Sequence, residues 1–256
     1  MRQNKLKHIL KSGKTAICGW LHIPNTWTAE IMANTGWDCI TVDMQHGLHN
    51  IETAIQMMQA ISTTETTPIA RANWNTPGEM MRLLDGGAYG IICPMINTKQ
   101  ECQTFIGATK YPPLGYRSLG PTRARVYGGL DYAEHANDEI LTLAMAETVQ
   151  AIDNIEEICS VKGLDGIFIG SGDLKLSIKT TYGNRKPELF EKCIDTVLKV
   201  CQKKNLIAGI WCATVDDAKK MAERGFKFIA LKSDSMMLTE YAKEQSKAIK
   251  ETLKNK

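Results

Sequence analysis

Residues 67–108 read TPIARANWNTPGEMMRLLDGGAYGIICPMINTKQECQTFIGA, and the order of patterns within this stretch decides the fold. TPIARA (67–72) is a short strand-like run, and GEMMRLLDGG (78–87) is helical and stops at paired glycines. YGIICPMI (89–96) is apolar and of strand length, and TKQECQTFIGA (98–108) is helical again. Strand, helix, strand, helix with short joins is the signature of βα units in a parallel sheet.

Working outward, the same alternation fills most of the chain. Toward the N-terminus lie DCITVDM (38–44) and a helix from Ile51 to Ile61, whose apolar positions 51, 54, 55, 58 and 61 have helical spacing. Before them come TAICGWL (15–21) and a helix across Thr28–Asn34 that stops at Gly36, with a leading helix from Asn4 to Lys11. Toward the C-terminus, residues 110–138 break the rhythm with Pro112, Pro113, Gly115, Gly120, Pro121, Gly128 and Gly129, and read as a long functional loop. The rhythm resumes with EILTLAMAE (139–147) and a helix at 150–160, then LDGIFIG (164–170) and a helix from Pro187 to Lys204. LIAGIWC (206–212) with a helix at 214–224, and FKFIALKS (226–233) with a helix at 237–253, complete the series. Eight such units in a chain of 256 residues predict a single closed (β/α)8 barrel, a TIM barrel, spanning 1–256 with a leading N-terminal helix. A doubly wound sheet is disfavoured, because no glycine-rich phosphate fingerprint follows the first strand.

Bulk properties narrow the function. The formal net charge of +3 is small and dispersed, which argues against nucleic acid as a partner. No run of ~18 apolar residues occurs, and the opening MRQNKLKHILKSGK lacks an apolar signal core, so neither membrane nor export is expected. Of the eight cysteines, Cys18, Cys39 and Cys93 sit inside apolar runs and no CxxC pair occurs. They read as reduced core thiols of a cytoplasmic protein.

In such barrels the reacting groups project from the carboxyl ends of the strands. The polar residues there are Asp43, Gln45 and His46; Arg71 and Asn73; Glu147; Asp173; and Ser233 with Asp234. Glu147 ends an otherwise apolar run, where a carboxylate is costly unless it is paired or bound to a cation. A salt bridge to a barrel Lys or Arg is the plain alternative. Asp173 follows GIFIGSG and would equally serve as a helix N-cap. Together the two carboxylates could hold a hard divalent ion that keeps waters for substrate. His46 lies in VDMQHG, where Asp43, three residues earlier, could fix its tautomer for work as a general base. Arg71 is either a core-edge ion-pair partner or a guanidinium that holds an anion or an enolate oxygen.

The segments VDMQHG, PIARANW, LLDGGAYGIICPMI, YPPLGYRSLGP, AMAETVQAIDNIEEI and GLDGIFIGSGDLKLS, taken in order, resemble the successive motifs of the class II, metal-dependent pyruvate aldolases. That family includes 4-hydroxy-2-oxoheptanedioate aldolase and 2-dehydro-3-deoxyglucarate aldolase. The resemblance runs from about Leu6 to Asp234. It implies that Glu147 and Asp173 are the protein ligands of Mg²⁺, Mn²⁺ or Co²⁺, and that His46, oriented by Asp43, handles protons. Arg71 would contact the keto or enolate oxygen, and the amides of Gly170, Ser171 and Gly172 would receive the substrate carboxylate. Asp85 would join the proton network across a subunit interface of a homohexamer, a dimer of trimers whose last helix packs on a neighbour. Four positions depart from the family pattern: Gln45 where Glu is common, Met145 for Gln, Ser171 for Pro, and Lys232 before Ser233-Asp234.

The implied reaction is aldol cleavage or condensation of a 4-hydroxy-2-oxo acid through a metal-stabilised pyruvate enolate, releasing or consuming an aldehyde. Lys227 and Lys232 are the residue-type candidates for a Schiff-base alternative. Two rivals remain: enolate chemistry on another electrophile, acyl-CoA or citrate-forming, and a barrel that binds a metabolite without catalysis.

Overall fold

The structure, a computed structural model, describes residues 1–183 and 188–254. The chain begins with α1 (Lys5–Lys11), β1 (Ala16–Leu21), α2 (Thr26–Ala33), β2 (Cys39–Asp43), α3 (Ile51–Ile61), β3 (Thr67–Arg71) and α4 (Pro77–Asp85). It continues with β4 (Gly90–Cys93), α5 (Lys99–Thr109), α6 (Thr122–Gly128), α7 (Tyr132–Glu139), β5 (Leu141–Ala146), α8 (Val149–Asp153) and α9 (Ile155–Ile158). It ends with β6 (Gly166–Ile169), α10 (Ser171–Tyr182), α11 (Glu188–Lys203), β7 (Ile207–Cys212), α12 (Val215–Arg224), β8 (Phe228–Leu231) and α13 (Asp234–Lys254). The eight strands pair in parallel in sequence order, and β8 closes on β1.

The period of two along each strand sorts the core into two layers. Cys18, Trp20, Cys39, Ile69, Leu143, Met145, Phe168 and Phe228 fill the barrel interior, while alternate residues face the helices. Leu6 and Leu10 of α1 join the interior set, so the leading helix plugs the amino end of the barrel. That end carries a polar seal: Lys7 Nζ reaches Asp165, and Lys110 Nζ donates to the carbonyls of Asn137 and Ile140. Burial pulls the Lys110 ammonium down to about 8, with the neighbouring Lys7 charge adding to the effect. All eight cysteines are free, and seven are buried.

Three expectations need correction. Residues 110–138 are not one loop, since α6 and α7 form within them; Arg117 anchors the segment from inside, donating to Tyr132 Oη and Asp85 Oδ1. The helix expected at 150–160 is divided at Asn154, whose amide donates to the Asn97 carbonyl. The helix for which Asp173 was weighed as N-cap begins earlier, with α10 starting at Ser171 directly after β6. Pro187, the expected start of the next helix, lies outside the described residues, and α11 is described from Glu188.

Candidate active site at the carboxyl mouth of the barrel

The register of the first three strands builds one row of functional groups. Leu21 pairs with Val42 and Asp43 pairs with Arg71, so the next step of the β1–β2 register sets His22 beside Asp43. All three side chains lie at the barrel mouth. Asp43 is fully buried and accepts six hydrogen bonds. They come from Trp20 Nε1 at 3.0 Å, His22 Nε2 at 2.9 Å, Arg71 Nε at 2.7 Å and Arg71 Nη2 at 2.5 Å, with the backbone N–H groups of Gln45 and His46. Burial pushes the Asp43 carboxyl up, but the bonds from His22, Arg71 and Trp20 and the Arg71 charge outweigh it and hold the group far below the usual carboxylate range. Asp43 is therefore an anion at any working pH.

The expected Asp43–His46 side-chain pair is not what forms. His46 gives Asp43 only its backbone N–H, and its exposed ring reaches the pocket from the rim. His22, which the sequence reading passed over, takes the carboxylate instead. Its backbone is held as firmly as its ring: the N–H groups of His22 and Ile23 donate to the two oxygens of Asp234, and the His22 carbonyl accepts from Leu48 N–H.

Arg71 takes the ion-pair role foreseen for it. Nε and Nη2 are committed to Asp43, while no hydrogen bond within the described chain uses Nη1, and the guanidinium stacks 5.1 Å from the Trp20 ring. The ion pair fixes the plane of the guanidinium and leaves one edge for an oxygen in the pocket.

Across the mouth stands Glu147, 1% exposed. Its Oε1 accepts from the Met95 N–H at 2.7 Å, and its Oε2 is buried without any partner. None of the ion pairs among the described residues includes it, so the salt-bridge alternative fails. Burial raises its carboxyl, the Met95 N–H opposes that rise, and the nearby Asp173 charge adds to it. Asp173 is exposed and lies in the first turn of α10, whose N-cap is Gly170 with no side-chain cap bond, so Asp173 is not the cap. Gly170 has a steric duty, because a Cβ there would collide with Oε2 of Glu147. The start of α10 has no side-chain cap, and Gly170, Ser171 and Gly172 line the same space; the free N–H groups of a helix start suit an anion.

These groups line one cavity of about 180 Å³, walled by Trp20, Met145, Phe168 and Trp211. Neither lysine considered for a Schiff base lines it: Lys232 pairs with Glu240 of α13, and Lys227 precedes β8 at the opposite end. Met145 lines the cavity, and Gln45, whose N–H donates to Asp43, has its Oε1 buried and unpartnered. Asp85 is remote from this mouth. It ends α4 at the amino side of the barrel, where Arg117 holds it; burial raises its carboxyl and Arg117 opposes the rise.

The mouth of the barrel thus joins a guanidinium anchored on Asp43, a buried carboxylate oxygen without a hydrogen-bond partner and the start of a helix with no side-chain cap. The chain belongs to the HpcH/HpaI aldolase/citrate lyase family, which matches it over residues 17–240. It is 36% identical to a hydroxypyruvate/pyruvate aldolase of Rhizorhabdus wittichii, over 94% of this chain and 96% of that one. It is 33% identical to a 4-hydroxy-2-oxo-heptane-1,7-dioate aldolase of Salmonella dublin, over 92% of this chain and 90% of the relative. Among solved structures, a family protein from Burkholderia cenocepacia superposes with a TM-score of 0.89 at 25% identity, covering 96% of this chain and 99% of the other. The chain is thus a carbon–carbon lyase of the aldolase type.

Proposed function

We propose that this protein reversibly cleaves a 4-hydroxy-2-oxo acid to pyruvate, or a close 2-oxo acid, and an aldehyde, with a divalent cation held by Glu147 and Asp173. The observation that carries this reading is the partnerless, buried Oε2 of Glu147 beside a second carboxylate. Such an oxygen is costly unless a cation neutralises it. The pair fits an ion of the Mg²⁺, Mn²⁺ or Co²⁺ type that completes its shell with water and substrate. No group of three or more His, Cys, Asp or Glu among the described residues offers a closed protein cage. When bound, the cation supplies concentrated positive charge beside the oxo group.

The chain's own residues do the rest. The Gly170, Ser171 and Gly172 amides orient the substrate carboxylate, and Arg71 Nη1 donates to the oxo oxygen, more strongly once that oxygen carries enolate charge. Asp43 holds Arg71 in that pose. His46, reaching in from the rim, returns or removes the proton at C3, directly or through one water. The wall of Trp20, Phe168 and Trp211 keeps bulk water from the enolate.

The working unit of this reading is a single barrel domain over 1–256 in a homo-oligomer, a hexamer built as a dimer of trimers. From Leu238 onward the described residues of α13 are exposed, including the apolar Leu238, Tyr241, Ile249 and Leu253. On the outward face of β1, Ile17 is 45% exposed, while Gly19 and Leu21 are covered by the chain's own residues. An α13 from a second copy laid over β1 would cover both surfaces, and a neighbouring copy is the only route by which Asp85 could reach a mouth. No described helix is long and apolar enough to cross a membrane, and the buried free thiols suit the reducing cytoplasm.

The test is a pyruvate-release screen over 4-hydroxy-2-oxo acids, with and without chelator. Release that disappears with EDTA and returns with Mg²⁺, Mn²⁺ or Co²⁺ is expected. Full turnover in a metal-free preparation would overturn the cation, and no release from any member of the panel would overturn the reaction.

A further inference from the structure

We propose that His22 is a second proton-transfer residue of this site, the one that takes the proton from the C4 hydroxyl in cleavage and returns it to the aldehyde oxygen in condensation. The inference rests on the aldolase reading above and assigns the half of the reaction that His46 leaves open.

Three observations carry it. First, the tautomer is defined. Asp43 is an anion saturated with donors, so His22 Nε2, 2.9 Å from Oδ2, must present N–H to it. Nδ1 is then the acceptor nitrogen of the neutral ring. Second, that nitrogen is available. Its only hydrogen-bond partner among the described residues is Ser235 Oγ at 3.5 Å, the far limit of hydrogen bonding, and the side chain is 30% exposed where it lines the pocket. Third, the position matches the far end of the substrate. In a closed ring of eight strands, β1 lies opposite β5, whose end carries Glu147. An oxo acid seated by its carboxylate on the α10 amides and by its oxo oxygen near Glu147 and Arg71 extends C4 across the mouth, toward β1. His22 stands there, with Asp234 clamping its backbone.

The step balances without a further reagent. In cleavage the C4 hydroxyl proton passes to Nδ1, and the O–H pair becomes the carbonyl of the leaving aldehyde. The C3–C4 bonding pair enters the C2–C3 enolate, C3 is protonated from the His46 side, and Nδ1 then releases its proton to solvent. The adjacent Asp43 anion stabilises the imidazolium formed midway, the part a buried carboxylate plays beside a catalytic histidine.

Exchange of the pyruvate methyl protons with D₂O needs the enolate but no aldehyde, so it separates the two halves. In His22→Gln an amide can still donate to Asp43 but cannot take a proton. Exchange should stay within about threefold of wild type, while pyruvate release from the best 4-hydroxy-2-oxo acid should fall by roughly 10²–10⁴, the range for a positioned base. His46→Ala should show the converse at exchange. Unchanged cleavage in His22→Gln overturns the proposal. So does a parallel loss of exchange and cleavage in both His22→Gln and His22→Asn, which would make His22 a support for Asp43. Wild-type protein that neither exchanges nor cleaves would instead remove the aldolase reading itself.

Discussion

Substituting Gln for Glu147 should stabilise the metal-free protein while abolishing its response to metal. In the metal-free state Oε2 of Glu147 is buried with no partner and faces the charge of Asp173. A buried polar atom left unsatisfied costs ~1–3 kcal/mol, and more when charged. Gln keeps the acceptor for the Met95 N–H but leaves a neutral amide in the same place, so the gain should sit near the low end, about 1 kcal/mol, or roughly 2–4 °C in Tm for a domain of this size. The sign of the pH dependence follows from the raised Glu147 carboxyl. The native state binds this proton more tightly than the unfolded chain does, so metal-free wild type loses stability as pH rises above the ordinary value of 4.5, and the gap to Glu147→Gln widens until the native group is ionised. A divalent ion reverses the penalty. At a free concentration of 100 times Kd, linkage adds about 2.7 kcal/mol, which is on the order of 5–10 °C. The assay is a thermal melt of chelator-stripped wild type, Glu147→Gln and Asp173→Asn at one protein concentration, titrated with Mg²⁺, Mn²⁺ and Co²⁺. A wild-type Tm that no ion moves, or an equal rise in Glu147→Gln, would refute the reasoning.

Arg71→Ala should lower stability by roughly 3–5 kcal/mol, because it leaves the buried Asp43 anion without its paired cation; urea denaturation measures this. Arg71→Lys keeps the charge but loses the planar edge, and its kcat should fall on the order of 10²–10³, as for a lost oxyanion donor. A loss below about tenfold would confine Arg71 to neutralising Asp43. Lys110, lowered from 10.5 to about 8 by burial, imposes its full penalty below that value and sheds it as pH rises to 10.5. Native stability should therefore gain about 3 kcal/mol from this group across the window, a rise that Lys110→Met removes. Light scattering at micromolar concentration should give a multiple of the chain mass, and Leu238→Glu with Ile249→Glu should reduce it; a monomeric wild type would remove the role of Asp85.

The barrel was legible because each βα unit carries its own signal, an apolar strand followed by helical spacing, in several units with a glycine stop, and eight of them leave little freedom in topology. The errors fell where local composition and tertiary packing disagree. Proline and glycine dominate residues 110–138, yet α6 and α7 form there because Arg117, Tyr132 and the start of the chain hold them from inside. Asp173 reads as a possible N-cap, yet α10 starts two residues before it, since glycine at the N-cap costs little and Asp173 suits a first turn.

The site was legible as a set of residues but not as a set of contacts. Asp43 seemed to belong to His46 because they are three residues apart, but a strand side chain pointing inward meets its neighbours across the sheet before it meets a residue beyond its own strand. Counting by twos from Cys18 through Trp20 reaches His22 on the inner face of β1, and the parallel register then sets His22, Asp43 and Arg71 in one row. That row explains why a carboxylate with no direct hold on substrate is kept at the barrel mouth. Asp43 fixes a guanidinium on one side and an imidazole on the other, so the two groups proposed above as oxyanion donor and proton acceptor are set by a single buried charge. Glu147 and Asp173 across the mouth have no ion-pair partner among the described residues, and the Arg71 charge reaches Glu147 without a hydrogen bond. The Asp43 carboxylate is neutralised within the protein, whereas in the proposed function the Glu147 side is completed by a cation from solution.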